Sequence, residues 1–168
     1  MLDRNTRANS RIIPIRKGLE SASGQAVIGL SQNPGEHSLS LASISDQAET
    51  IELTTLDKFC HSRNIKFIDL LKIDVEGHEL GVLRGAKNML SSNSIHFIYA
   101  ECIFEPDNSS PHTLFESLRH YLSGYNYCLF ACYQESFYLR TGCLQANVLF
   151  VNRHFLPSEV QGKVQNIV

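Results

Sequence analysis

The chain has 168 residues, a formal net charge of −2, 43 % hydrophobic and 19 % charged residues. That is enough for one domain with a proper core, and it excludes disorder over most of the length. The charge balance argues against a nucleic-acid backbone or an anionic membrane as the main partner, and no apolar run reaches the length of a membrane span.

Residues 1–10 are polar and basic, unlike a signal peptide, and read as a disordered or partial lead-in. Five cysteines, an odd number without secretory context, point to reduced thiols and a cytoplasmic protein. Cys128 and Cys132 lie in an apolar run and read as small buried hydrophobes rather than zinc ligands.

In chain order, residues 11–19 contain a short strand at Ile12-Ile13-Pro14-Ile15, and residues 25–30 a second strand. Asn33-Pro34-Gly35 is a turn signal. A brief strand at 51–53 precedes Thr54, an expected N-cap with Asp57 three residues on, for a helix to about Ser62. Residues 67–74 read as the central strand, and 79–90 as one helix with an apolar stripe of Val82, Leu83, Ala86, Met89 and Leu90. A strand at 95–101, a polar loop at 105–111 and a helix at 113–122 follow. Strands at 127–132 and 146–151 come next, then a tail at 154–168. This order predicts an α/β fold with a mostly parallel sheet and an antiparallel last strand.

The most informative stretch runs from Asp69 to Ala86. The apolar run of Phe67, Ile68, Leu70, Leu71 and Ile73 ends abruptly in Asp74, Val75, Glu76 and Gly77, and a helical pattern begins at once. This reads as a buried parallel strand delivering carboxylates to its C-terminal edge, where open α/β sheets bind ligands. Asp74 is either a helix-capping acid or the group nearest the chemistry. Glu76 and His78 are candidate proton acceptors or substrate anchors, against the plainer reading of solvated first-turn residues. Lys72 shares a strand face with Asp74, so it either neutralises that acid or binds a substrate carboxylate or phosphate. Glu101 ends the neighbouring strand. Asp74 and Glu101, with Glu76, could converge on one ligand or on a divalent cation, the latter not being favoured. Gly77, Gly81 and Gly85, spaced by four, read as one helix face packed closely on the sheet.

The segment Leu70-Leu-Lys-Ile-Asp-Val-Glu-Gly-His-Glu-Leu-Gly-Val-Leu-Arg-Gly-Ala86 resembles the hallmark segment of the FkbM family of methyltransferases. Residues 54–59 are similar to that family's lead-in, and residues 95–102 to its next strand, ending in a glutamate. The resemblance implies a Rossmann-like methyltransferase domain over residues 11–153. It implies S-adenosylmethionine as cofactor and a hydroxyl on a natural product, sugar or lipid as acceptor. Gly81 departs from the family pattern, in which a larger residue is usual. No G-x-G-x-x-G turn occurs in the sequence, and no second strand ending in a ribose-holding acid precedes the matched part. The chain therefore reads as the C-terminal two-thirds of such a domain, with weak cofactor binding and an exposed sheet edge that favours homo-oligomers.

Two rival readings stand beside this one. Asp74-Val75-Glu76 can be read as the acidic cation motif of a nucleotide-sugar glycosyltransferase. The missing cofactor turn also fits a non-catalytic partial domain.

Overall fold

The computed structural model describes residues 9–29, 48–105, 112–138 and 143–158. The residue 33–35 turn, most of the lead-in and of the tail, and most of the 105–111 loop lie outside the described residues. Among the described residues, seven strands form two sheets. In the smaller sheet β1 (Gly18–Leu19) pairs parallel to β3 (Ala48–Thr54), and β2 (Gly24–Gly29) pairs antiparallel to β3. The strand expected at Ile12 and Ile13 does not form. Both residues are exposed, Pro14 lacks an amide N–H, and pairing begins only at Gly18.

The larger sheet contains β4 (Ile68–Ile73), β5 (Ile95–Ile103), β6 (Tyr127–Tyr138) and β7 (Cys143–Asn152), in the order β4-β5-β7-β6. β4 and β5 are parallel, and β7 is antiparallel to both β5 and β6. The sheet is therefore mixed, not mostly parallel. The cause is the β6–β7 hairpin, which folds back so that β7 slots between β5 and β6 and makes two antiparallel ladders. The expected central strand lies at one end of this sheet among the described residues.

Helices cover one sheet face. Among the described residues they are α1 (Leu56–Ser62), α2 (Glu79–Arg84), α3 (Lys87–Ser91) and α4 (Phe115–Ser123). Strand alternation sends Leu71, Ile73, Ile98, Ala100, Cys102, Val148 and Phe150 to that face, where all are buried with Val82, Leu83, Leu90, Leu118 and Leu122. On the other face Leu70, Phe130 and Tyr133 are exposed, 56 %, 58 % and 44 % respectively. Phe97 faces Phe130 and Tyr99 faces Tyr133, with ring centroids 6.4 and 6.1 Å apart. Cys60, Cys102, Cys128 and Cys132 are free thiols. No helix among the described residues is long and apolar enough to cross a membrane.

Two helix boundaries differ from expectation. Thr55, not Thr54, caps α1, its hydroxyl accepting from the Lys58 N–H at 3.1 Å, because Thr54 is the last residue of β3. The single helix expected over 79–90 breaks at Gly85 and Ala86 into α2 and α3. Asp57 explains the restart. Its carboxylate accepts from the N–H groups of Asn88 and Met89 at 2.8 and 3.0 Å, capping α3 from α1.

Candidate functional site

The site is built at the C-terminal ends of β4 and β5, two adjacent parallel strands paired through Lys72↔Tyr99 and Ile73↔Ala100. The chain leaves β4 in a tight turn. Glu76 takes a left-handed φ of 49° and Gly77 a φ of 96°. A left-handed backbone is uncommon for glutamate and easy for glycine, which explains the Glu-Gly pair. The turn is held from below by Glu79. This carboxylate, 1 % exposed, accepts from the Gly77 N–H at 3.1 Å and from the Thr113 hydroxyl at 2.5 Å. Its role is structural.

Thr113 in turn fixes the segment ahead of α4. Its hydroxyl also reaches the Gly77 carbonyl at 3.2 Å, and its carbonyl accepts from the Ile103 N–H at 3.1 Å. The neighbouring residue, His112, is thereby set over the end of β5. His112 Nδ1 lies 3.8 Å from Glu101 Oε2 and 4.0 Å from Glu76 Oε2. Glu101 is fixed on its other side by Gln145 of β7, whose Nε2 donates to Oε1 at 2.5 Å. Glu101 pairs in register with Asn147, so Gln145 reaches it along the diagonal of the antiparallel ladder.

The structure sorts the residues expected from sequence. Glu76 and Glu101 come together. Asp74 does not join them: it lies on the exposed side, its carboxylate accepting from Lys72 Nζ at 2.6 Å. The residues brought together at the strand ends are Glu76, Glu101 and His112 rather than Asp74 and Glu101. Asp74 does not cap α2 either, because the cap position is His78, four residues on. His78 turns away from the cluster and places Nδ1 3.2 Å from Glu20 Oε2. Lys72, more than half exposed, pairs with Asp74 on the open side of the site.

Burial pushes the Glu76 carboxyl upward; the nearby Glu101, Asp74 and Glu79 charges act in the same sense and His112 opposes them. The hydrogen bond to Asp74 holds the Lys72 ammonium above its usual range, so it stays charged. Cys102 follows Glu101 on the buried face, where burial pushes its thiol up to about 12. It is no nucleophile.

Sequence reasoning missed His112, Gln145 and Glu20. Each is a single polar residue supplied by a separate element, with no periodic signal. The described residues supply carboxylates suited to a cation or to a hydroxyl acceptor. They offer no glycine cradle for a nucleoside cofactor, Gly77 belonging to a turn held by Glu79 and Thr113.

The methyltransferase FkbM domain family matches residues 5–129. The chain is 33 % identical over 105 residues to hexuronic acid methyltransferase AglP of Haloferax volcanii. The match covers 60 % of this chain and 41 % of that protein, so the chain spans less than half of the curated relative it resembles. No solved structure matches significantly. With three-quarters of its length inside the family match, including the Asp-Val-Glu-Gly turn and the Glu101 strand, the chain belongs to the FkbM methyltransferase domain family.

Proposed function

We propose that this chain supplies the acceptor side of an S-adenosylmethionine-dependent methyltransferase acting on a sugar hydroxyl, with hexuronic acids as the acceptor class. The observation that carries the reading is the convergence of Glu76 and Glu101 at the ends of adjacent parallel strands in a chain of this family. The order β4-β5-β7-β6, with the last strand antiparallel, supports a Rossmann-like sheet. The name of the Haloferax relative supports the acceptor class.

Methyl transfer from a sulfonium requires an oxygen placed in line and relieved of its proton. Glu76 and Glu101 are the groups sheltered enough to hold that hydroxyl and accept its proton. Asp74, beside them on the open side, orients the acceptor. The Lys72 ammonium offers the charge complement to a hexuronate carboxylate. His78, held by Glu20, has a positioning role at the start of α2.

The test is transfer of a radiolabelled methyl group from S-adenosylmethionine to hexuronate oligosaccharides and to neutral hexose controls. Label on the hexuronates and not on the neutral hexoses supports the reading. No label on any hydroxyl acceptor overturns it. Release of UDP from a UDP-sugar in the same assay establishes the glycosyltransferase alternative instead.

A further inference from the structure

Three side chains from three separate elements meet at one point. Glu76 comes from the turn after β4, Glu101 from β5, and His112 from the segment before α4. One ligand atom of each lies within 4.8 Å of the other two. We propose that Glu76, Glu101 and His112 form a binding site for a divalent first-row transition-metal ion. The proposal builds on the reading of this pocket as the acceptor side, but binding of the metal requires no methyl donor.

The donor set decides the class of ion. One imidazole nitrogen with two carboxylate oxygens suits Mn²⁺, Fe²⁺ or Zn²⁺ better than Ca²⁺ or Mg²⁺, which prefer oxygen alone. Two carboxylates balance the charge of the ion. The geometry is close to what binding needs. Bonds of about 2.1 Å place two ligands of one ion about 3.0–3.4 Å apart at neighbouring positions and about 4.2 Å apart at opposed ones. The His112 separations of 3.8 and 4.0 Å fall between these, so small side-chain rotations close the site. The three side chains are 22 %, 24 % and 16 % exposed, sheltered yet reachable.

The surroundings are arranged for the same purpose. Gln145 occupies Glu101 Oε1 and leaves Oε2 turned to His112, the kind of outer partner that orients a metal-binding carboxylate. A metal on His112 Nδ1 places the ring proton on Nε2. The 3.4 Å approach of Gln145 Nε2 to that nitrogen is then given up. Lys72, the nearby cation, is engaged by Asp74 outside the cluster. Three protein ligands leave positions open for substrate. A hexuronate can fill them with a carboxylate oxygen and a neighbouring hydroxyl, and the ion would make that hydroxyl more acidic.

The test is titration of the full 168-residue chain with Mn²⁺ alone, followed by the loss of the free-ion electron paramagnetic resonance signal, and with Zn²⁺ by calorimetry. One site is expected. Glu101→Gln and His112→Asn should each weaken it by about 100-fold or more, and Gln145→Leu by about 10–100-fold. His120→Asn, an exposed change on α4, should leave it unaltered. Far-UV circular dichroism checks that each variant is folded. If a variant fails to fold, selective broadening of the His112 ring resonances by Mn²⁺ in the unaltered chain decides. Absence of binding by the unaltered chain overturns the proposal, as does binding that survives both ligand variants or leaves His112 unbroadened. These outcomes are independent of methyl transfer. A chain that binds Mn²⁺ but labels no acceptor refutes the methyltransferase reading alone.

Discussion

A Cβ at Gly85 would lie 2.3 Å from the backbone oxygen of Glu20, and one at Gly81 would lie 2.1 Å from the Glu20 carboxylate. The glycine face of α2 is therefore shaped by one residue that follows β1, and it docks the small sheet on the helical layer. The two clashes differ in kind. Backbone cannot step aside, whereas a carboxylate can.

Gly85→Ala should accordingly destabilise the chain by about 1–3 kcal/mol, the usual range for overpacking. Gly81→Ala should be milder, because the helix gains about 1 kcal/mol of propensity while Glu20 swings out and releases His78. In a Glu20→Ala background, Gly81→Ala should become stabilising. Thermal melts of the three variants test this, and equal losses at both glycines would show that Glu20 is not what excludes a side chain.

Much of the site was legible because the strand, turn and helix that carry it are local. The apolar run ending at Asp74, the Glu-Gly pair and the apolar stripe of 79–90 all lie within about two dozen residues. Glu101 was legible for the same reason, as the acid near the end of a second apolar run. The rest depends on contacts distant in sequence. Asp57 breaks one expected helix into two by capping the second half from another helix, 31 residues away. Asp74 and Glu76 are two residues apart, but the left-handed turn at Glu76 sends them to different surroundings. The insertion of β7 between β5 and β6 follows from which edge the hairpin adopts, and strand composition carries no record of that.

Stability should depend on pH through Glu76. Its folded carboxyl is raised, chiefly by burial, so the folded chain holds this proton more tightly than the unfolded chain does. The group then costs nothing below its unfolded value of about 4.3, and stability is lost as pH rises through the folded value. Glu76→Gln should raise the melting temperature at pH 7 with chelator present, and the gain should vanish toward pH 4. A gain that persists at low pH would show that the effect is not protonation.

The open face of the larger sheet should make the chain self-associate. Leu70 on β4, at one end of the sheet, and Phe130 and Tyr133 on β6, at the other, stand uncovered among the described residues. Such apolar surface and an unpaired edge favour association. Sedimentation velocity should show a mass that rises with concentration. Leu70→Lys with Phe130→Lys should shift it toward the monomer. A monomer at every concentration in the unaltered chain would contradict this.

Asp74 separates chemistry from scaffolding. Among the described residues its carboxylate pairs with the Lys72 ammonium, and both side chains are more than half exposed. A pair of that kind contributes about 0–1 kcal/mol, and α2 starts at Glu79 with no help from Asp74. Asp74→Asn should therefore leave the melting temperature almost unchanged. If the carboxylate orients the acceptor hydroxyl, the same change should lower turnover by about 10²-fold, within the range of a lost acid–base group. Lys72→Met distinguishes a direct role from an indirect one. Loss of the ammonium should raise KM for a hexuronate acceptor and spare kcat, whereas an Asp74 that served only to hold Lys72 would give both variants the same profile. Glu101→Gln should lower turnover as well, and combined with Asp74→Asn it should be less than additive if the two act on one bound acceptor. Full turnover in Asp74→Asn would remove the residue from the site and leave Glu76 and Glu101 as its acids.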